Sequence, residues 1–169
     1  RAWIRERHAA GAVAALKCAE AYFRSLDFQP DDPAAARRVF GGHPRDRSPE
    51  DLRLFGNFIF NRACELAAEL DLPFQIHTGL AQLAGSAPMR FENTLLRHPH
   101  TRFVLFHSGY PWIHQVAGLA HNHANVCPSI SRYNFHFFSG GGRLNLGATG
   151  LEKGFTYTPW YLSSLYNCQ

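Results

Sequence analysis

Two stretches of the sequence end alike. Phe74-Gln75-Ile76-His77-Thr78-Gly79 and, about thirty residues further on, Phe103-Val104-Leu105-Phe106-His107-Ser108-Gly109 each carry a short strand-like run into a histidine with a glycine two places beyond. Asp71-Leu72-Pro73 stops a helical pattern before the first, and His98-Pro99-His100 breaks a helix around Phe91 to Arg97 before the second. A third unit follows: a helix around Trp112 to Ala120, a break at His121 to Ala124 and a strand near Asn125 to Ile130. Strands alternating with helices at this spacing predict parallel βα units. Both histidines then fall just past the C-terminal end of a strand, the edge where parallel α/β folds build their sites, whether the sheet is open or closed.

Upstream, Gly11 to Cys18 is an apolar run that ends around Lys17. It reads as a buried strand, although an alanine-rich helix fits nearly as well. Residues 29–48, rich in proline, aspartate, arginine and glycine, read as a connecting insertion with one helical stretch near Ala34 to Val39. Ser48-Pro49-Glu50-Asp51 is a helix start: a serine cap, proline in the first turn, and acids that meet the helix dipole. Leu52, Phe55, Phe58, Ile59, Ala63, Leu66 and Ala67 then predict one apolar face. Beyond Tyr133 the periodicity fades, so residues 1–132 are expected to form the domain and 133–169 an irregular tail.

Composition narrows the function. The chain has 169 residues, about one domain's worth and enough to bury a core. Its +4 charge is uneven: 11 basic residues face 11 acidic ones through Asp71, and 6 face 2 after it, with no late aspartate. That excess is spread singly, so nucleic acid is not an expected partner. Four scattered cysteines without CxxC spacing suggest a reducing, cytoplasmic setting. No run reaches the roughly 18 apolar residues of a membrane span.

Neighbouring parallel strands lie about 4.8 Å apart, so His77 and His107 are placed to converge on one ion, water or substrate. Imidazole serves there as a neutral metal ligand or as a proton acceptor near neutral pH. The plainer alternative is two strand-end histidines bonded to nearby backbone. Lys17 would share that rim as a Schiff-base former, a carboxylate anchor or a carbamate bridge, unless it simply seeks solvent. Tyr22 and Arg24 are candidates for binding an anionic group. His98-Pro99-His100 and His121-Asn122-His123 precede strands and are assigned to the opposite end of the sheet. Ser108 lacks a GxSxG elbow, and Gly140 to Gly142 lack the lysine of a phosphate loop.

The segments Leu72–Gly79 and Phe103–Trp112, in that order, together with Ala120-His121-Asn122 before Asn125-Val126, resemble the amidohydrolase-related family of metal-dependent TIM-barrel hydrolases. Lys17 with Ala21-Tyr22-Phe23-Arg24-Ser25-Leu26 resembles the lysine and Tyr-Arg segment of the same group. The resemblance implies an α/β fold, a partial (β/α)8 barrel of about four units. It also implies a divalent metal, zinc being expected, with His77 as a ligand and His107 as a second ligand or the base acting on metal-bound water. Lys17, Tyr22 and Arg24 are then the substrate-binding candidates.

The family's early HxH motif and its late aspartate have no counterpart in the sequence, so the chain is expected to be the middle of a longer barrel, through truncation, a frame-shifted reading or degeneration. The first expectation is a piece of a hydrolase that attacks a C–N or C–O bond of a small polar substrate, or decarboxylates it, with little activity alone. The second is a non-catalytic binding or assembly module whose open sheet edges favour self-association. An open-sheet protein that binds an anionic ligand at the strand ends is the third.

Overall fold

A computed structural model describes residues 1–129; the tail expected over 133–169 lies outside the described residues. In chain order, helix α1 (Ala2–Ala9) leads to strand β1 (Leu16–Cys18), helices α2 (Pro33–Phe40) and α3 (Pro49–Glu69), strand β2 (Phe74–His77), helix α4 (Glu92–Arg97), strand β3 (Phe103–Phe106), helix α5 (Ile113–Asn122) and strand β4 (Val126–Pro128). All neighbouring strands pair in parallel in the order β1-β2-β3-β4, as the βα alternation predicts. The register aligns Lys17 with Gln75, Gln75 with Val104, and His77 with Phe106. Among the described residues, no helix is long and apolar enough to cross a membrane.

Local chemistry accounts for the helix starts. Asp32 accepts hydrogen bonds from the Ala34 and Ala35 amides, and Pro33 occupies the first turn of α2. In α3, Ser48 accepts from the Asp51 amide at 3.1 Å, and the Asp51 carboxylate accepts from the Ser48 amide at 3.4 Å, a reciprocal capping box. The helix ends at Leu70, where Asp71 turns left-handed (φ 50°) ahead of Leu72-Pro73.

The buried face of α3 is only partly the one its apolar spacing suggests: Leu66 and Ala67 are buried and Ala63 packs against the core as expected, but the first half of the helix is rotated from it. Leu52 and Ile59 are half exposed, while Asn57, Phe60, Asn61, Cys64 and Ala67 turn inward. The two asparagines are tolerated because they are bonded. Asn57 accepts from Arg24 at 2.8 Å, while Asn61 donates to the Gln29 and Asn57 carbonyls at 3.0 and 2.8 Å and meets His98 at 2.7 Å. Beside this polar seam, in which the Asn57 side-chain nitrogen has no partner among the described residues, Phe60 stacks on Phe28 (centroids 3.7 Å) and Phe74 (5.4 Å), while Phe91 meets Phe103 edge-on at 5.1 Å. Each such ring contributes about 1.5–3 kcal/mol through burial, so this aromatic stack seats the sheet on its helices.

Two boundaries depart from expectation, and a further helix, α1, precedes the first predicted element. Helix α1 buries no residue and carries no apolar stripe; Arg1 and Arg5 tie it to Glu65 and Glu69 of α3, each at 2.6 Å. The Gly11–Cys18 run is strand only in its last three residues. Helix α5 continues through His121 and Asn122, residues that read as a break. Pro128, an unfavourable residue for a central strand, sits opposite Leu105 on β4. Because the next amide, Ser129, donates back to Leu105 at 2.8 Å, the proline nitrogen faces away from β3, and the β3–β4 ladder loses no bond to it.

Replacing Ser48 by alanine should remove the cap and lower the unfolding free energy by about 1 kcal/mol, measured as a reduced urea midpoint with an unchanged slope.

Candidate active site

Strand alternation fixes the two faces of the sheet. Cys18, Phe74, Ile76, Phe103, Leu105 and Val126 join the hydrophobic core, so Lys17, Gln75, His77, Val104 and Phe106 lie on the other face. Continued as strand, His107 would point toward the helices. Instead it and Ser108 adopt left-handed backbone (φ 64° and 47°), followed by Gly109 at φ 65°. Such conformations are uncommon for side-chain-bearing residues and gather where geometry is functionally demanding. The turn brings the His107 ring 4.6 Å from that of His77, at 69° between planes. Tyr22, in a short 3-10 turn after β1, covers His77 from another side with its ring centroid at 4.3 Å.

His77 is almost fully buried, and its Nε2 has no hydrogen-bond partner among the described residues. Burial, followed by the nearby His107 and Lys17, lowers its pKa to about 4, with backbone hydrogen bonding at Gly79 and Leu80 opposing the shift. The ring is therefore neutral at physiological pH. Lys17 is exposed as a residue, yet its Nζ lies 3.5 Å from the centroid of the Phe106 ring, and desolvation brings its pKa down to about 8. No carboxylate pairs with Lys17 among the described residues.

The structure therefore gathers His77, His107 and Tyr22, with Lys17 reaching Phe106 on the same face. Arg24 turns elsewhere. Its guanidinium lies 4.5 Å from the Phe28 ring centroid and donates to Asn57 and to the Arg53 carbonyl. The two HxH segments lie at the far end of the sheet: His98 bonds Asn61 ahead of β3, and His123 lies 3.6 Å from Glu92 ahead of β4. No cluster of three or more metal-binding side chains occurs among the described residues.

The profile of the amidohydrolase family matches residues 2–162. The chain belongs to that family. Its parallel βα units are accordingly part of the (β/α)8 barrel. Similar proteins include protein fluG of Emericella nidulans, 30% identical over 68% of this chain. A crystal structure from Lactobacillus casei named as a metal-dependent hydrolase aligns over 77% of the chain with a TM-score of 0.62 at 20% identity, a likeness of fold. The chain spans 15% of the length of the first relative and 38% of the second.

The sequence reading did not single out the interlocked turns beneath the histidines. Gly79, at φ 61°, packs so closely that a Cβ there would stand 2.0 Å from the Tyr110 carbonyl oxygen, while the Leu80 amide donates to that same oxygen at 3.0 Å. The repeated His-x-Gly spacing was the available signal. Gly79→Ala should lower stability by about 2 kcal/mol, combining left-handed strain with a backbone clash. Gly118→Ala, in α5 with open space around it, should instead add about 0.5–1 kcal/mol. Thermal melts of both variants provide the comparison.

Proposed function

We propose that His77 and His107 supply part of the coordination sphere of a divalent metal, zinc by the preference of nitrogen donors, in a hydrolase acting on a small polar substrate. The observation that carries this reading is the buried, partnerless Nε2 of His77, on a neutral ring 4.6 Å from a second imidazole. A buried nitrogen without a hydrogen bond is costly unless something else occupies its lone pair, and a metal ligand must be deprotonated. The pair thus fits a metal as two donors. A catalytic zinc site generally uses three protein ligands, and the described residues provide no third beside these two.

A divalent ion supplies Lewis acidity and makes water a competent nucleophile near neutral pH. The chain's own groups do the rest. His77 stays neutral and fixed under Tyr22. In the alternative arrangement, with His77 alone on the ion, the His107 ring instead accepts the proton of the attacking water as the C–N or C–O bond is attacked, or handles the proton of a decarboxylation. The Lys17 ammonium, unpaired with any described carboxylate, orients an anionic end of the substrate, and Tyr22, half exposed, offers a ring face for stacking. Arg24 is engaged with α3 and takes no part in this arrangement.

The incomplete donor set also favours a second reading, a binding module with little turnover. Both readings predict that residues 1–169 bind zinc only weakly on their own. Calorimetric titration of the whole chain should show that His77→Ala lowers affinity at least about tenfold, equivalent to about 1.4 kcal/mol. His121→Ala, a surface control, should leave it unchanged. Equal affinity in the wild type and the His77 variant would remove the metal assignment, while submicromolar binding lost in that variant would overturn the incomplete-site expectation.

A further inference from the structure

We infer that Thr78 is a positioning residue whose hydroxyl holds the left-handed turn that brings His107 onto the face of His77. The inference rests on the reading of these histidines as one site, although the geometry behind it is independent of any metal. Thr78 follows His77 directly, so alternation sends its side chain to the opposite side of β2, where it is fully buried. There its Oγ1 donates to the Phe106 carbonyl oxygen at 2.6 Å.

That oxygen belongs to the peptide whose nitrogen is the His107 amide. The φ rotation of His107 turns about the N–Cα bond leaving this peptide plane, so holding the plane fixes the axis from which the imidazole is carried and narrows the positions it can reach. From the β4 side the Ser108 amide donates to the Ser129 carbonyl and the Ser129 amide to Leu105, each at 2.8 Å, and the Ser108 hydroxyl makes a longer bond, 3.5 Å, to that same carbonyl. From the β2 side, Thr78 supplies a side-chain bond next to the histidine that its own neighbour must meet. The register makes this reach possible, because His77 pairs with Phe106 and Thr78 is therefore the first residue beyond the ladder. A hydroxyl at this point couples the ends of two strands that each carry one imidazole.

The test compares the full chain with Thr78→Val, which keeps shape and removes the donor, and Thr78→Ser, which keeps the donor. The first readout is the histidine ring-proton NMR spectrum without metal. In the wild type the His107 signals should be displaced by the facing His77 ring. Thr78→Val should return them toward solvent values while His98, packed on Asn61, is unmoved; Thr78→Ser should match the wild type. The second readout is zinc affinity, expected to fall about tenfold or more in Thr78→Val and to be restored in Thr78→Ser.

Unmoved His107 signals in Thr78→Val would overturn the inference. So would a serine variant with displaced signals, which would assign the role to the methyl group and remains decisive if the valine variant does not fold. Signals that move in Thr78→Val, together with zinc binding indifferent to His77→Ala, would uphold the positioning role and reject the metal reading.

Discussion

A parallel strand has two faces, and in this protein one of them is committed to phenylalanine. Phe74 and Phe103 must meet Phe60, Phe91 and Phe28 for the sheet to sit on its helices. That requirement dictates everything on the other face. Lys17, Gln75, His77 and Phe106 are left on it by parity alone, whereas His107 reaches it only because the chain abandons strand geometry at that residue. Core packing and site geometry are thus coupled through the strand period, and a one-residue slip of β3 against β2 would exchange the two faces.

The electrostatic character of the gathered residues matches the uneven charge of the chain. Two imidazoles and an ammonium share a face, and His107 and Lys17 both help lower the pKa of His77. The scarcity of acids after Asp71 is therefore more than bookkeeping. Nothing carboxylic from β2, β3 or β4 stands between these groups, so among the described residues their donors and lone pairs are left to face something other than an acidic side chain.

Much of the fold was legible because it is written locally. The ends of β2 and β3 and the start of α3 agree with the sequence reading, since turn residues, caps and a short apolar run decide them within a few positions. Tertiary partners decided the rest. The core face of α3 was read correctly only at Ala63, Leu66 and Ala67 and missed nearer the start, because Asn57 and Asn61 look like surface residues until Arg24, Gln29 and His98 bond them. Arg24 shows the same limit from the other side: it reads with Tyr22 as a candidate for binding an anionic group, and its cation faces an aromatic ring and a carbonyl of α3. Left-handed His107 was invisible for a different reason: histidine is enriched in that region relative to most residues, but the conformation is still too uncommon to be read from one sequence. The parallel units and the paired histidines emerged from the sequence, but the way the second histidine reaches the first did not.

Helix α1 illustrates a different kind of attachment. With no buried residue, it is held to α3 by arginine–glutamate contacts whose side chains remain roughly two-fifths exposed. Exposed pairs of this kind contribute little and are screened by dissolved ions, whereas the aromatic core is indifferent to them. The first turn of the molecule is therefore a separate energetic compartment, one whose docking is governed by ionic strength while the sheet it borders is governed by temperature and denaturant.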